Sequence, residues 1–209
     1  MALLAHYVEA LEVRQLCHQM AAVFGAKLPH STALVPGGCT QVPTLERIIS
    51  YRSRLKQILE FVHNVYLPDL LTVAQEFPAY FELGRGCGNF LAFGVFEMNA
   101  GGDKFVRPGA LIDGKWEALN EQAITEDVAC SRFRQPSGLH PRQGVTEPSP
   151  NKPQAYTWLK APRYRGYAME VGPLARVLVN YHDPSQTWIR QEVDDFLAKT
   201  GVTADKLVS

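Results

Sequence analysis

A long apolar stripe with helical spacing is the feature that most constrains the fold of this chain. After Thr44, seven apolar residues recur near the α-helical repeat, and charged residues fall mainly between them. Thr44 is a candidate N-cap, and Pro68 must kink or end the helix because proline lacks an N–H donor. The pattern predicts a long amphipathic helix, whose stripe consists of Ile48, Tyr51, Leu55, Ile58, Leu59, Val62 and Tyr66.

Four further segments have helical spacing. The first runs from Ala2 to about Phe24, and Gly25 ends it before a loop rich in glycine and proline. Ser185 is a candidate N-cap and Gly201 a stop for the last segment. Helix is therefore predicted to dominate, and the other three segments are DLLTVAQEF, VGPLARVLVNY and SQTWIRQEVDDFLAKTG.

The middle of the chain changes character. Short aromatic and β-branched runs predict a small sheet or ribbon, in the stretches NFLAFGVFEM and KFVRPGALIDGKWEAL. Residues 134–153 are rich in proline and lack periodicity, which predicts a long loop. Loops of this length are usually functional or disordered, and the following AYTWLKAPRY argues against disorder.

Charge and hydropathy exclude several classes of partner. The chain has 209 residues, 46% of them hydrophobic, and its 21 basic residues balance its 21 acidic residues. This composition is typical of a soluble globular protein with no net field to attract nucleic acid. No run approaches the roughly 20 apolar residues of a membrane span, and acidic residues come too early for a signal peptide. We expect neither nucleic-acid binding nor direct membrane insertion.

The four cysteines form no metal-binding or redox pair. Cys17, Cys39, Cys87 and Cys130 are never closer than 22 positions, so the chain has no C-x-x-C motif. A reduced, buried thiol that contributes to packing is the expected state of each cysteine.

Three stretches resemble successive blocks of the nickel-iron hydrogenase large subunit. They are EALEVRQLCHQMAAVFGAKLPHSTALVPGGCTQ, GRGCGNFLAFGVF and AYTWLKAPRYRGYAMEVGPLARVLVNY. The resemblance spans the chain from about Tyr7 to about Ala198, and its most specific part is KAPRY followed by MEVGPLAR.

The resemblance implies a mainly helical fold, with a helical-bundle core and a small β element. It also implies a nickel-iron centre with cyanide and carbon monoxide on the iron, bridged by thiolates from two C-x-x-C motifs. Since this chain has neither motif, we expect residues 1–209 to be an internal segment of such a subunit, a single domain or part of one. Alone it should bind no metal, be inactive and leave apolar faces exposed.

Arg163 is the candidate catalytic residue. In the family, the arginine of the KAPRY motif points its guanidinium into the metal pocket, a task that suits a rigid and permanently charged fork. Ala161 and Pro162 would line the same pocket. The competing interpretation is a surface arginine after a proline turn.

Three other residues are candidates for support or for partner contact. The resemblance places His30 near the small subunit, where its imidazole would donate a hydrogen bond, although a lone histidine after proline is often only a loop residue. Glu170 and Arg176 would form an ion pair that braces the pocket wall.

The resemblance implies reversible oxidation of dihydrogen as the function of the complete subunit. Its partners would be the iron-sulfur small subunit and the missing parts of the large subunit. The location would be cytoplasmic, or periplasmic or membrane-associated through the small subunit. The alternative is a non-catalytic helical scaffold that binds the rest of a hydrogenase complex, and a third interpretation is an unrelated helical ligand-binding protein.

Overall fold

The computed structural model describes residues 2–134 and 136–208. Gln135, in the predicted loop 134–153, lies outside the described residues. The chain divides into two compact units, Met1–Phe77 and Pro78–Ser209. Helices dominate the described part of the first unit, and short strands combine with helices in the second. The expected mainly helical fold with a small β element is therefore confirmed.

The first unit is built on two helices that pack against each other. Helix α1 (Ala2–Gly25) contacts α2 (Leu45–Phe61), and a short hairpin of β1 (Leu34–Val35) and β2 (Gly38–Cys39) lies between them in sequence. The predicted cap is confirmed, because the Thr44 side chain accepts a hydrogen bond from Arg47 N at 3.4 Å. Helix α2 therefore begins directly after the residue that the sequence predicts as its N-cap.

Pro68 lies in the first turn of a new helical segment and does not break the helical path. The chain passes from α2 through a π-helical turn (Val62–Tyr66) directly into α3 (Leu67–Glu76), with Pro68 in its first turn. In this turn Leu67 N donates to Val62 O, five residues back. The wider turn accommodates a residue that cannot donate a main-chain hydrogen bond.

The second unit contains seven short strands and three helices among its described residues. All strand pairs are antiparallel: a three-stranded sheet has the order β3-β6-β7, and β4 pairs with β5 and β8 with β9. The strands are β3 (Phe90–Ala92), β4 (Val95–Glu97), β5 (Lys104–Val106), β6 (Gly109–Ile112), β7 (Lys115–Glu117), β8 (Ile124–Asp127) and β9 (Ala161–Tyr164). The helices are α4 (Pro173–His182), α5 (Thr187–Thr200) and α6 (Ala204–Val208), and 3-10 turns occupy Pro78–Glu82 and Glu121–Ala123.

Helix α4 covers the three-stranded sheet and forms the main core with it. Leu178 and Val179 are almost completely buried, as are Phe90 and Leu111 on the facing strands. A Cβ atom at Gly109 would lie 2.8 Å from Val179 Cγ1, so the absence of a side chain there permits the close approach of α4. Burial of each large apolar side chain contributes about 1.5–3 kcal/mol.

Two local expectations need correction. Ser185 does not cap α5, because its hydroxyl donates to Asp183 Oδ1 at 2.6 Å and the N-cap position falls on Gln186. The expected burial of the thiols is also wrong, since three of the four cysteines, Cys39, Cys87 and Cys130, are exposed. Each of the three lies in a hairpin or loop where no second layer covers it. The stop at Gly201 is confirmed by its left-handed backbone, with φ of 69°.

Large apolar side chains are exposed in both units, as expected. On α1, Leu4 and Tyr7 are 67% and 65% exposed, and in the second unit Tyr156 and Leu159 are 80% and 77% exposed. Extended apolar patches on a protein surface usually mark an interface. Among the described residues, none of the helices combines the length and hydropathy required to cross a membrane.

The buried amide of Asn180 should be a major determinant of the stability of the second unit. Its Nδ2 donates to Arg107 O and Arg176 O, and its Oδ1 accepts from Arg107 N at 2.8 Å. Asn180→Leu leaves the main-chain N–H and C=O of Arg107 without their side-chain partner, so we expect a loss of about 3 kcal/mol in unfolding free energy. Urea denaturation followed by tryptophan fluorescence measures this, because all three tryptophans lie in the second unit.

Asn99→Ala is the control, since Asn99 caps an exposed turn through Gly101 N and Asp103 N. This substitution should cost less than about 1 kcal/mol because water can replace the lost acceptor. Equal losses for the two variants would contradict the role of the buried amide.

His182 should make stability fall in mild acid. Burial, and then the nearby Arg190 charge, lower the pKa of His182 below its usual value of 6.5. The unfolded chain therefore takes up this proton first, and the contribution of His182 to stability is lost as the pH falls below about 6.5. Urea denaturation between about pH 8 and pH 5 should show a decline that is shallower in His182→Gln. Identical profiles for the parent and the variant would show that His182 is not responsible.

Candidate functional site

Strand β9 carries the candidate arginine and is anchored by Tyr164. Tyr164 is 1% exposed and packs with Leu91 and Ala110, and its hydroxyl donates to Glu117 Oε1 at 2.7 Å. The same hydroxyl accepts from Asn120 N at 3.2 Å. Apolar burial and two hydrogen bonds thus fix the end of the strand immediately next to Arg163.

Strands β8 and β9 form a two-stranded ribbon with a defined register. Thr125 lies opposite Arg163 and Asp127 opposite Ala161, while Glu126 lies opposite Pro162. Since successive side chains alternate between faces, Arg163 and Ala161 share one face and Pro162 belongs to the other. A proline is tolerated at Pro162 because β9 is an edge strand that pairs only with β8.

Arg163 is partly buried in this ribbon. Its Nη1 donates to Pro162 O at 2.9 Å, so the guanidinium folds back over the main chain of its own strand. The pocket-lining roles of Ala161 and Pro162 and the catalytic role of Arg163 stay predictions. The structure brings these three residues together only as neighbours in one strand.

Arg165, two positions after Arg163, has a side chain that is 52% exposed. It is nevertheless paired, because its Nε lies 3.1 Å from Glu117 Oε1 and its guanidinium lies over the Tyr164 ring. Glu117 Oε1 therefore accepts the hydrogen bond of the Tyr164 hydroxyl and also forms the ion pair with Arg165.

Asp127 is a charged neighbour of Arg163 that the sequence analysis missed. Its Oδ1 accepts hydrogen bonds from Ala129 N at 2.8 Å and from the Ser137 hydroxyl at 2.7 Å. These bonds, first from Ala129 and then from Ser137, lower the pKa of Asp127 below 3.8, and the Arg163 and Lys152 charges add to the effect against desolvation. Asp127 is thus a carboxylate at neutral pH. The sequence shows an aspartate followed by a turn, but it does not show that Ser137, ten residues later, is its partner.

The described part of the predicted loop 134–153 is ordered by its own charged residues. Lys152 Nζ donates to the carbonyls of Val128 and Phe133, at 2.5 and 3.0 Å. Arg134 forms an ion pair with Glu147 at 2.9 Å. Lys152 and Arg134 are therefore both engaged in contacts within the loop region.

Glu170 braces a glycine loop, and it does so without Arg176. Its Oε1 accepts from Gly88 N at 2.9 Å, and a Cβ atom at Gly86 would fall 2.2 Å from the carboxylate. Arg176 instead contributes its main chain to α4 and to Asn180. The expected Glu170–Arg176 ion pair is not found among the ion pairs of residues 2–134 and 136–208.

His30 lies in the first unit, whereas Arg163, Glu170 and Arg176 belong to the second. It is exposed, with a positive φ of 60°, in a loop closed by the Ser31 hydroxyl donating to Gly25 O at 2.8 Å. The contact of His30 with the small subunit stays a prediction.

The described residues do not supply a ligand set for nickel or iron. Within residues 2–134 and 136–208, no group of three or more histidine, cysteine, aspartate or glutamate side chains is placed to hold a metal ion. A nickel-iron centre requires several soft thiolate ligands, and the described cysteines do not converge. The residues present thus do not by themselves fit that group.

Comparison with known proteins gives a consistent result. The family model described as nickel-dependent hydrogenase matches residues 1–209. The periplasmic [NiFeSe] hydrogenase large subunit of Desulfomicrobium baculatum is 42% identical over 179 residues, which cover 84% of this chain and 35% of that protein. Hydrogenase-1 large chain of Escherichia coli K12 is 33% identical, with 85% of this chain and 36% of that protein covered.

Solved structures agree with the sequence comparison. The structure of H2-activated [NiFeSe] hydrogenase from D. baculatum superimposes with a TM-score of 0.80 at 38% identity, covering 98% of this chain and 43% of that one. The reduced, active form of the same hydrogenase gives a TM-score of 0.79. The chain spans little more than a third of the length of the curated relatives. By the match along all 209 residues, the chain belongs to the nickel-dependent hydrogenase family.

Proposed function

We propose that this chain is part of a hydrogenase large subunit that oxidises or evolves dihydrogen, and that it supplies one wall of the active-site pocket with Arg163. Membership of the nickel-dependent hydrogenase family supports the reaction class. The observation that carries the residue assignment is the anchoring of β9, where buried Tyr164 holds the strand next to Arg163.

Arg163 is suited to stabilise charge in such a pocket. A guanidinium stays protonated at any physiological pH and carries five N–H donors in a planar fork. One nitrogen of the guanidinium, Nη1, donates a hydrogen bond to Pro162 O in the same strand. This bond limits the orientations that the guanidinium can adopt. A preorganised cationic donor in a pocket that excludes water stabilises developing charge without reorganisation at the moment of reaction.

The nickel-iron centre, with its cyanide and carbon monoxide ligands, belongs to the complete subunit in this proposal. Its protein ligands would come from outside the described residues, because these residues lack a suitable thiolate set. Ala161 and Pro162 would line the pocket beside Arg163, and Glu170 would hold the Gly86–Gly88 loop in shape.

The proposed partners are an iron-sulfur small subunit and the remaining parts of the large subunit. Exposed apolar side chains on α1 support burial by such a partner. His30, exposed in its loop, is our candidate for the small-subunit contact. The D. baculatum relative is named as periplasmic, which favours that compartment over the cytoplasm. The alternative of a non-catalytic scaffold is not favoured by the family match.

The purified 209-residue chain should bind no stoichiometric nickel and show no hydrogen-dependent dye reduction. The reason is that a stable site needs converging soft ligands, which the described residues do not provide. Elemental analysis after gel filtration is the measurement. Retention of close to one nickel per chain would contradict the proposal and make the exposed thiols of Cys39 and Cys87 candidate ligands.

Arg163→Lys should lower hydrogen oxidation in a complete subunit that contains this segment. Lysine keeps the charge but loses the planar fork, so the rate should fall by about a hundred- to a thousand-fold while nickel and iron contents stay intact. Dye-coupled hydrogen oxidation and elemental analysis of the same preparation measure the two quantities.

Arg165→Lys is the matched control, because Arg165 is on the same segment, is half-exposed and can keep its ion pair with Glu117 as lysine. Its activity should stay within about twofold of the parent. If the Arg165 variant were the damaged one, or if Arg163→Lys turned over normally, the assignment of Arg163 would be wrong.

A further inference from the structure

Helix α1 and the helical segment that follows Thr44 form an antiparallel pair in the first unit. The Phe24 and Tyr51 rings lie 5.5 Å apart near one end of the pair. Near the other end, His6 Nδ1 lies 2.8 Å from Asp69 Oδ2. Residues late in α1 thus contact α2, and residues early in α1 contact α3, so the pair is held together at both ends.

Between these two contacts the helices enclose a groove of about 490 Å³, which we call the α1–α2 groove. Its walls are residues 9–16 of α1 and residues 57–65 of α2 and the π-helical turn. The partly buried residues of the lining are all apolar, and they are Val13, Leu16, Phe61 and Val65. Spacings of three and four residues place each pair on one face of its helix. The floor of the groove therefore offers two apolar ridges against which a third helix can pack.

The rim of the α1–α2 groove is acidic. The exposed residues of the lining are all polar and include Glu9, Glu12 and Glu60, whereas its members, all of them described residues, include no lysine, arginine or histidine. Glu9 and Glu12 form none of the ion pairs found among residues 2–134 and 136–208. Glu60 has an exposed pair with Lys56 at 3.8 Å, and such pairs contribute little. Since like charges one turn apart repel each other, the rim favours a cationic partner.

A segment that binds in this groove must satisfy its own main-chain hydrogen bonds. The main-chain groups of α1 and α2 are used inside the helices, so neither wall offers a free edge to an extended strand. An α-helix satisfies its main chain internally and can place an apolar face on the floor. The π-helical turn contributes Asn64 and Val65 to one wall, and turns of this kind are frequent at functional sites. The geometry therefore favours a helical ligand.

We propose that the α1–α2 groove binds a basic amphipathic helix of a partner. The apolar face of this helix packs on Val13 and Phe61, and its flanking lysine or arginine side chains reach the carboxylates of Glu9, Glu12 and Glu60. Opposite charges across an interface fix the register and disfavour wrong partners. The chemistry of the ligand is inferred from the groove alone, whereas the assignment of this helix to a hydrogenase complex rests on the proposed function.

Binding of designed helical peptides to the 209-residue chain tests this inference. The basic probe is an amphipathic peptide of about 20 leucine, alanine and lysine residues, long enough to form a helix. The acidic probe has glutamate in place of each lysine. Fluorescence anisotropy of the end-labelled peptides should show that the basic probe binds about tenfold more tightly, because the acidic probe brings like charges to the rim. Equal affinities for the two probes would overturn the proposal.

Reversal of a single rim charge locates the binding site. Glu12→Lys, and independently Glu9→Lys, should weaken binding of the basic probe about tenfold. Both positions are exposed on α1, so the fold should persist, and circular dichroism of each variant checks the helix content. If both variants fold and bind the basic probe like the parent, the groove is not its site.

Glu76→Lys is the matched control. Glu76 is an exposed carboxylate of the same unit, at the end of α3, and it does not line the groove. The same change of charge at this position should leave the affinity of the basic probe within about twofold of the parent. A loss equal to that of Glu12→Lys would show that overall charge attracts the peptide, and the proposal would fail.

Sedimentation velocity distinguishes a partner helix from a second copy of this chain. We expect Glu12→Lys to leave the self-association of the chain unchanged. A dimer that forms in the parent and dissociates in Glu12→Lys would identify a second copy as the occupant of the groove, against the choice of a partner helix.

Peptide binding requires neither metal nor turnover, so its failure is separate from failure of the proposed function. If the basic probe binds as expected while Arg163→Lys turns over normally in a complete subunit, the docking surface stands and the assignment of Arg163 fails. If Arg163→Lys is inactive while the chain does not discriminate between the two probes, the docking surface is the part that fails.

Discussion

The buried hydroxyl of Tyr164 connects the parts of the second unit on which the candidate site depends. Its side chain packs with Leu91 and Ala110, so it joins β9 to the three-stranded sheet. Its hydroxyl reaches Glu117 and Asn120, which joins β9 to the end of β7 and to the turn that follows it. A tyrosine can be buried in this way only when its polar end finds partners, and this requirement fixes the position of β9 along its own axis. The orientation of the neighbouring side chains, including the alternation that separates Arg163 from Pro162, follows from that fixed strand.

The helical part of the fold was predictable because its information is local. The stripe that begins after Thr44, the stop at Gly201 and the extended runs around Phe90 and Leu111 all depend on neighbours a few residues away. The ribbon of β8 and β9 was not predicted, since residues 128–160 separate its strands and pairing at such a distance leaves no periodic signal. Membership of the family, in contrast, was readable from motif order alone.

Charged contacts were the least predictable features. Glu170 was expected to pair with Arg176, but main-chain N–H groups of a glycine loop offer a carboxylate a partner at little entropic cost, and Gly88 takes that role. Asp127 was overlooked because its importance arises from a register and from a serine in a loop, neither of which a motif records. The exposure of three cysteines was not predictable for a similar reason. Thiols are buried in general, but this tendency does not apply to Cys39, Cys87 and Cys130, which lie in hairpins and loops.

The π-helical turn before Pro68 has a geometric consequence for the surfaces of the first unit. A single wide turn adds about one residue to the helical repeat, which rotates everything after it by roughly 100° about the axis. The apolar side chains of α3 therefore do not continue the line set by α2, and Tyr66 and Leu70 are exposed where Leu55 and Ile58 are partly buried. Because the apolar face is rotated after the turn, one continuous helical segment can pack against two different neighbours, one before the turn and another after it.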